Sequence, residues 1–262
     1  MKSGSLALAC LFFFSGSNAN PGQTVSPGQD STRSSAVLVE LFTSEGCSSC
    51  PPADKLLIDL DQNSITNGVT LITLSEHVDY WNRFGWKDPF SSAQYSQRQE
   101  EYSRALKFED VYTPQMIVDG RNAFVGSQRK TALEAIAKAA GAPKANVQLA
   151  VESTTGGAAS VLVKIDSIPE VSRGDKADVI LAVAESGLQS KVSRGENAGR
   201  EITHTAVARK LVKIGTIDGS SFTAQPNIKV DQTWKRSATK VVVFLQERTS
   251  RRVLGAAAIK LS

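Results

Sequence analysis

The chain has 262 residues, 41% hydrophobic and 21% charged, with a formal net charge of +4 and three cysteines. So mild a balance carries no signature of a nucleic-acid or acidic partner, and the length suffices for a core that needs no disulfide staples. No stretch reaches the roughly 20 apolar residues that a membrane span requires, so no stable membrane insertion is expected.

The start, MKSGSLALACLFFFSGSNA, reads as a secretory signal peptide over residues 1–19: Lys2, an apolar run from Leu6 to Phe14, then Ser17-Asn18-Ala19 as the cleavage site. Cys10 falls inside the apolar run, too early to be a lipidated cysteine. Cleavage would remove Lys2 and Cys10, leaving a charge of +3 and two cysteines, Cys47 and Cys50. The expectation is an exported chain, periplasmic or secreted, in a compartment where disulfides form. Residues 20–35 are rich in Pro, Gly, Ser and Asp and read as a flexible linker.

Residues 36–142 alternate strand and helix signals. AVLVELF (36–42) is a near-continuous apolar run, the mark of a strand buried on both faces. After the cysteine turn, ADKLLIDL sets Leu56, Leu57 and Leu60 on one helical face, and GVTLITL (68–74) is a second buried strand. HVDYWNRFGWKDPF (77–90) reads as an aromatic loop, and residues 91–108 as a polar helix with Tyr95, Tyr102 and Leu106 inward. PQMIVDGRNAFVG reads as a hairpin turning at Asp119-Gly120, and residues 129–141 as a helix ended by Gly141. The first two strands should be parallel because a helix joins them, the last two antiparallel. From Pro143 onward the chain changes to short period-2 segments rich in Val and Ile, with turns such as Thr155-Gly156-Gly157 and Asp218-Gly219 between them. Residues 143–262 are therefore expected to form an antiparallel β-sandwich.

SEGCSSCPPADKLL (44–57) carries the chemistry. As a staple, a Cys47–Cys50 bond closes a loop of about four residues, worth roughly 2 kcal/mol against about 4.7 for a 100-residue loop. As a metal site it offers Cys47 and Cys50 with His77, which follows the second strand at the same end of the sheet. That set suits Cu(I) but falls short of the four ligands of a closed zinc site. As a working dithiol, a CxxC turn between a buried strand and a helix matches the thioredoxin-like arrangement, with Cys47 attacking and Cys50 resolving. Pro51 and Pro52 lack N–H donors, so the regular helix should begin at them. Glu45, two residues before Cys47, opposes a thiolate unless it points away.

VYTPQMIVDG resembles the stretch of thioredoxin-fold proteins in which a cis proline faces the CxxC turn. That resemblance implies a cis Thr113–Pro114 bond and a substrate groove shaped by Pro114 and Thr113. Thioredoxins also bury an acid in the first core strand as a proton acceptor. Glu40 is the matching residue, although its spacing of seven to Cys47 is one longer. Together VELFTSEGCSSCPPADKLL, HVDYWNRFGWKDPFS, YTPQMIVDG and VSRGENAGREITHTAVAR resemble the secreted bacterial family catalogued as domain of unknown function 1223, from about Ala36 to the C-terminus. The resemblance implies export and a thioredoxin-like domain, without an established activity.

The expected architecture is thus an α/β thioredoxin-like N-terminal domain plus an all-β C-terminal sandwich. The expected function is thiol–disulfide exchange with exported proteins or small thiols and a redox partner, using the dithiol and no other cofactor. Copper carriage through Cys47, Cys50 and His77, and a binding module with a structural disulfide, are the rivals. Trp81, Phe84, Trp86 and Phe90 are placed beside the cysteines, either as a rim for a protein substrate or folded over their own core. Residues 194–204 read as a polar hairpin loop, serving as a turn or as a domain or partner contact.

Overall fold

The computed structural model describes Met1 and residues 35–62, 69–155 and 157–261. The expected signal peptide beyond Met1 and nearly all of the expected linker lie outside these residues.

Strand β1 (Ser35–Thr43) is the apolar run read from sequence, and Val37 through Phe42 are fully buried. Helix α1 (Pro51–Gln62) begins at the two prolines, whose missing N–H groups cost nothing in a first turn. Ala53, Leu56, Leu57 and Leu60 form its buried stripe. Strand β2 (Val69–His77) pairs parallel with β1, and helix α2 (Ala93–Leu106) follows, capped by Ser92, whose side chain accepts from the Gln94 N–H. Strands β3 (Gln115–Val118) and β4 (Asn122–Val125) make the hairpin. Its Asp119-Gly120 turn has φ of 49° and 66°, the left-handed pair that two-residue hairpins favour. Helix α3 (Arg129–Ala140) ends before Gly141.

Ten strands follow: β5 (Asn146–Thr155), β6 (Ala158–Asp166), β7 (Ala177–Glu185), β8 (Leu188–Lys191), β9 (Glu201–His204), β10 (Val207–Thr216), β11 (Phe222–Ala224), β12 (Asn227–Lys229), β13 (Thr239–Glu247) and β14 (Val253–Lys260). They do not close on themselves as a sandwich. One eight-stranded mixed sheet runs β14-β13-β7-β10-β2-β1-β3-β4, joining early and late parts of the chain, while β5, β6, β11 and β12 form a four-stranded sheet and β8-β9 a ribbon.

The expected α/β thioredoxin-like domain with a separate all-β sandwich is therefore not the fold. Among the described residues the protein is mostly β with three α-helices, and those from Ser35 onward belong to one compact unit. The decisive pairing is β10 alongside β2 through Val207 and Ser75. The edge that a self-contained first domain would leave open is used to extend the sheet.

Register fixes what covers each face. Val39 opposes Thr73, and Val207 opposes both Ser75 and Glu185. The side chains of Val37, Val39 and Leu41 thus share a face with Val179, Leu181 and Val183. On that face α1 and α3 cover the β1–β3 end, and the four-stranded sheet covers the β7–β13 end. Helix α2 covers the other face: Tyr95 packs with Leu38, Ala182 and Phe244, and its hydroxyl donates to the Ala208 carbonyl at 2.6 Å.

Candidate functional site

Cys47 and Cys50 form a disulfide where β1 hands over to α1. The Cys50 carbonyl accepts from the N–H groups of Ala53 (2.8 Å) and Asp54 (3.1 Å), so Cys50 occupies the N-terminal cap of α1. Both cysteines are fully buried while Ser48 and Ser49 between them are exposed. The loop joining β8 and β9 is bonded to the backbone of this turn. The buried Asn197 donates from Nδ2 to the carbonyls of Glu45 and Cys47, both at 2.9 Å, and the Ser48 N–H donates to Glu196 Oε2 at 3.1 Å. Hydrogen bonds from Ser48 hold the Glu196 carboxyl below its usual range. The polar loop that reads from sequence as a turn or a contact is thus fastened to the cysteine turn.

Beneath the turn lies a buried cluster of acids and histidines. Glu45 points inward: its carboxylate accepts from Trp86 Nε1 at 2.7 Å and meets His204 Nε2 at 3.2 Å. Asp54, four residues past Cys50 on α1, places Oδ1 3.8 Å from His204 Nδ1. Asp88 holds the Glu45 N–H at 2.9 Å and His77 Nδ1 at 2.7 Å. The two imidazoles meet edge to face with centroids 4.6 Å apart, and Phe90 packs on both. Burial works against a proton on His204, but hydrogen bonds and charge from Asp54 and Glu45 outweigh it and push the pKa up to about 10. Burial likewise opposes the Asp88 charge, and the His77 charge with bonds from His77, Glu45 and Phe90 holds its carboxyl below the usual range.

Thr113–Pro114 is cis. A Cβ on Gly126 would lie 2.7 Å from Leu41 Cδ1 and 3.2 Å from both Ala53 and Pro114. The bare glycine therefore lets β1, the first turn of α1 and Pro114 all close in around it. Thr113 Oγ1 accepts from Trp81 Nε1 at 2.7 Å. Trp81 packs on Phe84, a residue 52% exposed, and Trp81 Cβ would lie 3.2 Å from a Cβ on Gly46. The aromatic loop therefore sits around the cysteine turn, Trp86 and Phe90 turned inward and Phe84 outward.

Of the residues selected from sequence, Glu40 is placed away from the cysteines, and His77 lies in the cluster beneath them with its side chain engaged by Asp88. Glu40 does not reach the cysteines. It shares the α2 face with Leu38 and Phe42, and its carboxylate accepts from Arg98 Nε (2.8 Å) and Nη2 (2.5 Å) and from the Tyr102 hydroxyl. Helix α1 packs on the opposite face. A spacing one residue longer than the thioredoxin pattern reverses the side of a strand. Glu76 meets the same guanidinium at 3.4 Å, and burial pushes its carboxyl well above the usual range. His77 is fully buried with Nδ1 on Asp88, and among the described residues no set of three or more His, Cys, Asp or Glu side chains could hold a metal ion.

Sequence reasoning assigns no site role to Asp54 or Asn197, and it sets His204 aside as a metal ligand because it falls in the expected second domain. His204 lies 154 residues after Cys50 and reaches the site only because β9 leads into β10 beside β2. Its signal is weak but present: Ile202 and His204 alternate inward along β9. Asp54 falls on the helical face of Cys50 and Leu57.

A family model described as protein of unknown function (DUF1223) matches residues 38–246. No curated protein matches the chain. Among solved structures, protein AGR_C_4864 from Agrobacterium tumefaciens is similar at 28% identity and a TM-score of 0.66, covering 86% of this chain and 94% of its own. HBP35 of Porphyromonas gingivalis is similar in fold at 15% identity and a TM-score of 0.64, covering 87% of this chain and 75% of its own. Both likenesses take in most of the chain, in keeping with one continuous architecture.

Proposed function

The chain belongs to the family described as protein of unknown function (DUF1223), and for it we propose thiol–disulfide exchange through Cys47 and Cys50, with exported proteins or small thiols as substrates. The observation that carries the reading is a two-residue disulfide at a helix N-terminus set directly over a buried charged network of Glu45, Asp54 and His204. A purely structural bridge has little use for so short a loop, and a buried ion-paired histidine is a costly arrangement to keep beside one.

In the forward step a substrate thiolate attacks Cys47 Sγ. The Cys47–Cys50 bond breaks, its electron pair passes to Cys50 Sγ, and a mixed disulfide forms on Cys47. A second thiolate of the substrate then attacks the substrate sulfur of that mixed disulfide, forming the substrate's disulfide and releasing Cys47 as a thiolate. The substrate is thereby oxidised and the dithiol reduced. In the opposite direction the reduced Cys47 thiolate attacks a substrate disulfide. Cys50 thiolate then resolves the mixed disulfide at Cys47 Sγ, leaving the substrate reduced and the Cys47–Cys50 bond restored. A thiolate at Cys50 faces the N-terminus of α1. Asp54 and His204, rather than Glu40, take the role of proton-handling groups. Pro114 and Thr113 keep their proposed role in shaping the substrate groove. Both sulfurs are buried in the closed form, so exchange requires the Asn197 loop to lift. Export is part of the reading, supported by the signal-like pattern of residues 1–19. The dithiol is itself the redox centre.

Burial of both sulfurs favours a second reading, a binding module whose disulfide is structural. Equilibration with thiol buffers and an insulin-reduction assay separate the two. Exchange predicts turnover that is lost in Cys47→Ser, and faster attack by a small reductant in Asn197→Ala. A midpoint well below about −300 mV with no turnover would mark a structural bond and sink the proposal.

A further inference from the structure

The cavity between α3, the β3–β4 turn, the β6–β7 connection and the start of β14 has a lining suited to a specific class of ligand. Its volume is about 630 Å³, within the range of roughly 300–1,000 Å³ typical of small-molecule sites. Ala139, Pro143, Pro169, Val171 and Leu254 give it an apolar floor. Five cations line it, Arg121, Lys138, Lys144, Arg173 and Arg252, against two acids, Asp119 and Glu170.

The pairing of those charges decides what is left over. Asp119 is spent on Lys144 and on the Leu38 N–H, and Arg252 is tied to Glu247 and to the Glu170 carbonyl. Arg252 Nε nonetheless stays buried without a partner. Arg121, Lys138 and Arg173 have no acidic partner among the described residues, and they come from three different elements: the hairpin turn, α3 and the β6–β7 connection. Unpaired cations converging from separate elements on one concave apolar surface form a rim that a solvated face of scattered charges would not.

We propose that this cavity binds an amphiphilic organic anion: a carboxylate, phosphate or sulfate head held by Arg121, Lys138 and Arg173, on an apolar body seated over Ala139, Val171 and Leu254. The head supplies the acceptors those cations lack, with arginine offering a planar fork to a carboxylate or phosphate. The body covers the solvent-facing parts of Pro143, Pro169 and Val171, with the buried Ala139 and Leu254 beneath them. The site is independent of the disulfide. Asp119 bonds to Leu38 near the start of β1, whereas the cysteine turn follows the strand's far end, so the two sites occupy opposite ends of the sheet.

Calorimetric titration of the full chain with sodium octanoate, 1-octanol and inorganic phosphate tests the assignment. Octanoate should bind, with octanol and phosphate each at least about tenfold weaker, because each lacks one half of the recognised chemistry. The double variant Lys138→Ala/Arg173→Ala should weaken octanoate at least about tenfold. Both side chains are exposed, so its melting temperature and its insulin-reduction behaviour should match wild type. Absence of octanoate binding, equal affinity in the double variant, or phosphate binding as tightly as octanoate would each overturn the proposal.

Discussion

At the scale of single residues, His204 concentrates most of the site's electrostatics. Its folded pKa is raised to about 10 by Asp54 and Glu45 against the opposing effect of burial, from an unfolded value near 6.5. The charged form is therefore favoured in the folded state. Its stabilising contribution is fully present below about pH 6.5 and is lost as pH rises through about 10. Replacing it with Gln leaves two buried carboxylates without their cation, a change of the kind that costs about 3–5 kcal/mol. Urea unfolding should show that deficit at pH 6, and the gap to wild type should narrow as the pH approaches 10. A gap independent of pH would mean that packing, not charge, holds the imidazole. Single residues were also the hardest to place from sequence. Glu40 has the right chemistry and the wrong parity, one position from the spacing that would aim it at the cysteines. Asn197 has no local signature at all, since its importance lies in two carbonyls 150 or more positions away.

At the scale of elements, local pattern was a good guide where the physics is local. The buried run of β1, the proline start of α1, the aromatic loop and the Asp119-Gly120 hairpin all follow from burial, missing N–H groups or left-handed φ, and each appears where those rules put it. Close approach between elements is a different matter. Gly126 follows β4, and nothing in FVG reveals that Leu41, Ala53 and Pro114 crowd its α-carbon. Gly126→Ala drives a methyl to within 2.7 Å of a buried Leu41 carbon, so β1, α1 and the Pro114 segment must part to admit it. The expected cost is about 1–3 kcal/mol by thermal unfolding. Because Pro114 is among the displaced groups, disulfide reactivity toward a small reductant should change with it. A variant as stable as wild type would show that the junction yields freely.

At the scale of the whole molecule, the sequence reading divided what the structure joins. The segment TAVARKLVKIG looks like any period-2 strand, and no local feature announces that Val207 will pair with Ser75 across more than 130 positions. Long-range pairing is decided by which exposed edges remain after local elements form, and that information is spread over the entire chain. Helix α2 reinforces the union, since Tyr95 and Gln94 bond to carbonyls of β10. A fragment covering residues 36–142 would present the β2 edge and the Leu38–Tyr95 face to water. It should lack a cooperative melting transition and should bind apolar dyes, whereas residues 33–262 should unfold in one step. A fragment with a sharp transition of its own would argue against that unity. The Cys47–Cys50 link ties together no distant parts of this architecture. Severing it frees only a loop of about four residues, a loss of roughly 2 kcal/mol against about 4.7 for a long one, so the polypeptide is expected to reach its native shape in a reducing or an oxidising milieu alike. Acquisition of form and acquisition of the sulfur–sulfur bond are thereby separate events, free to occur in either order.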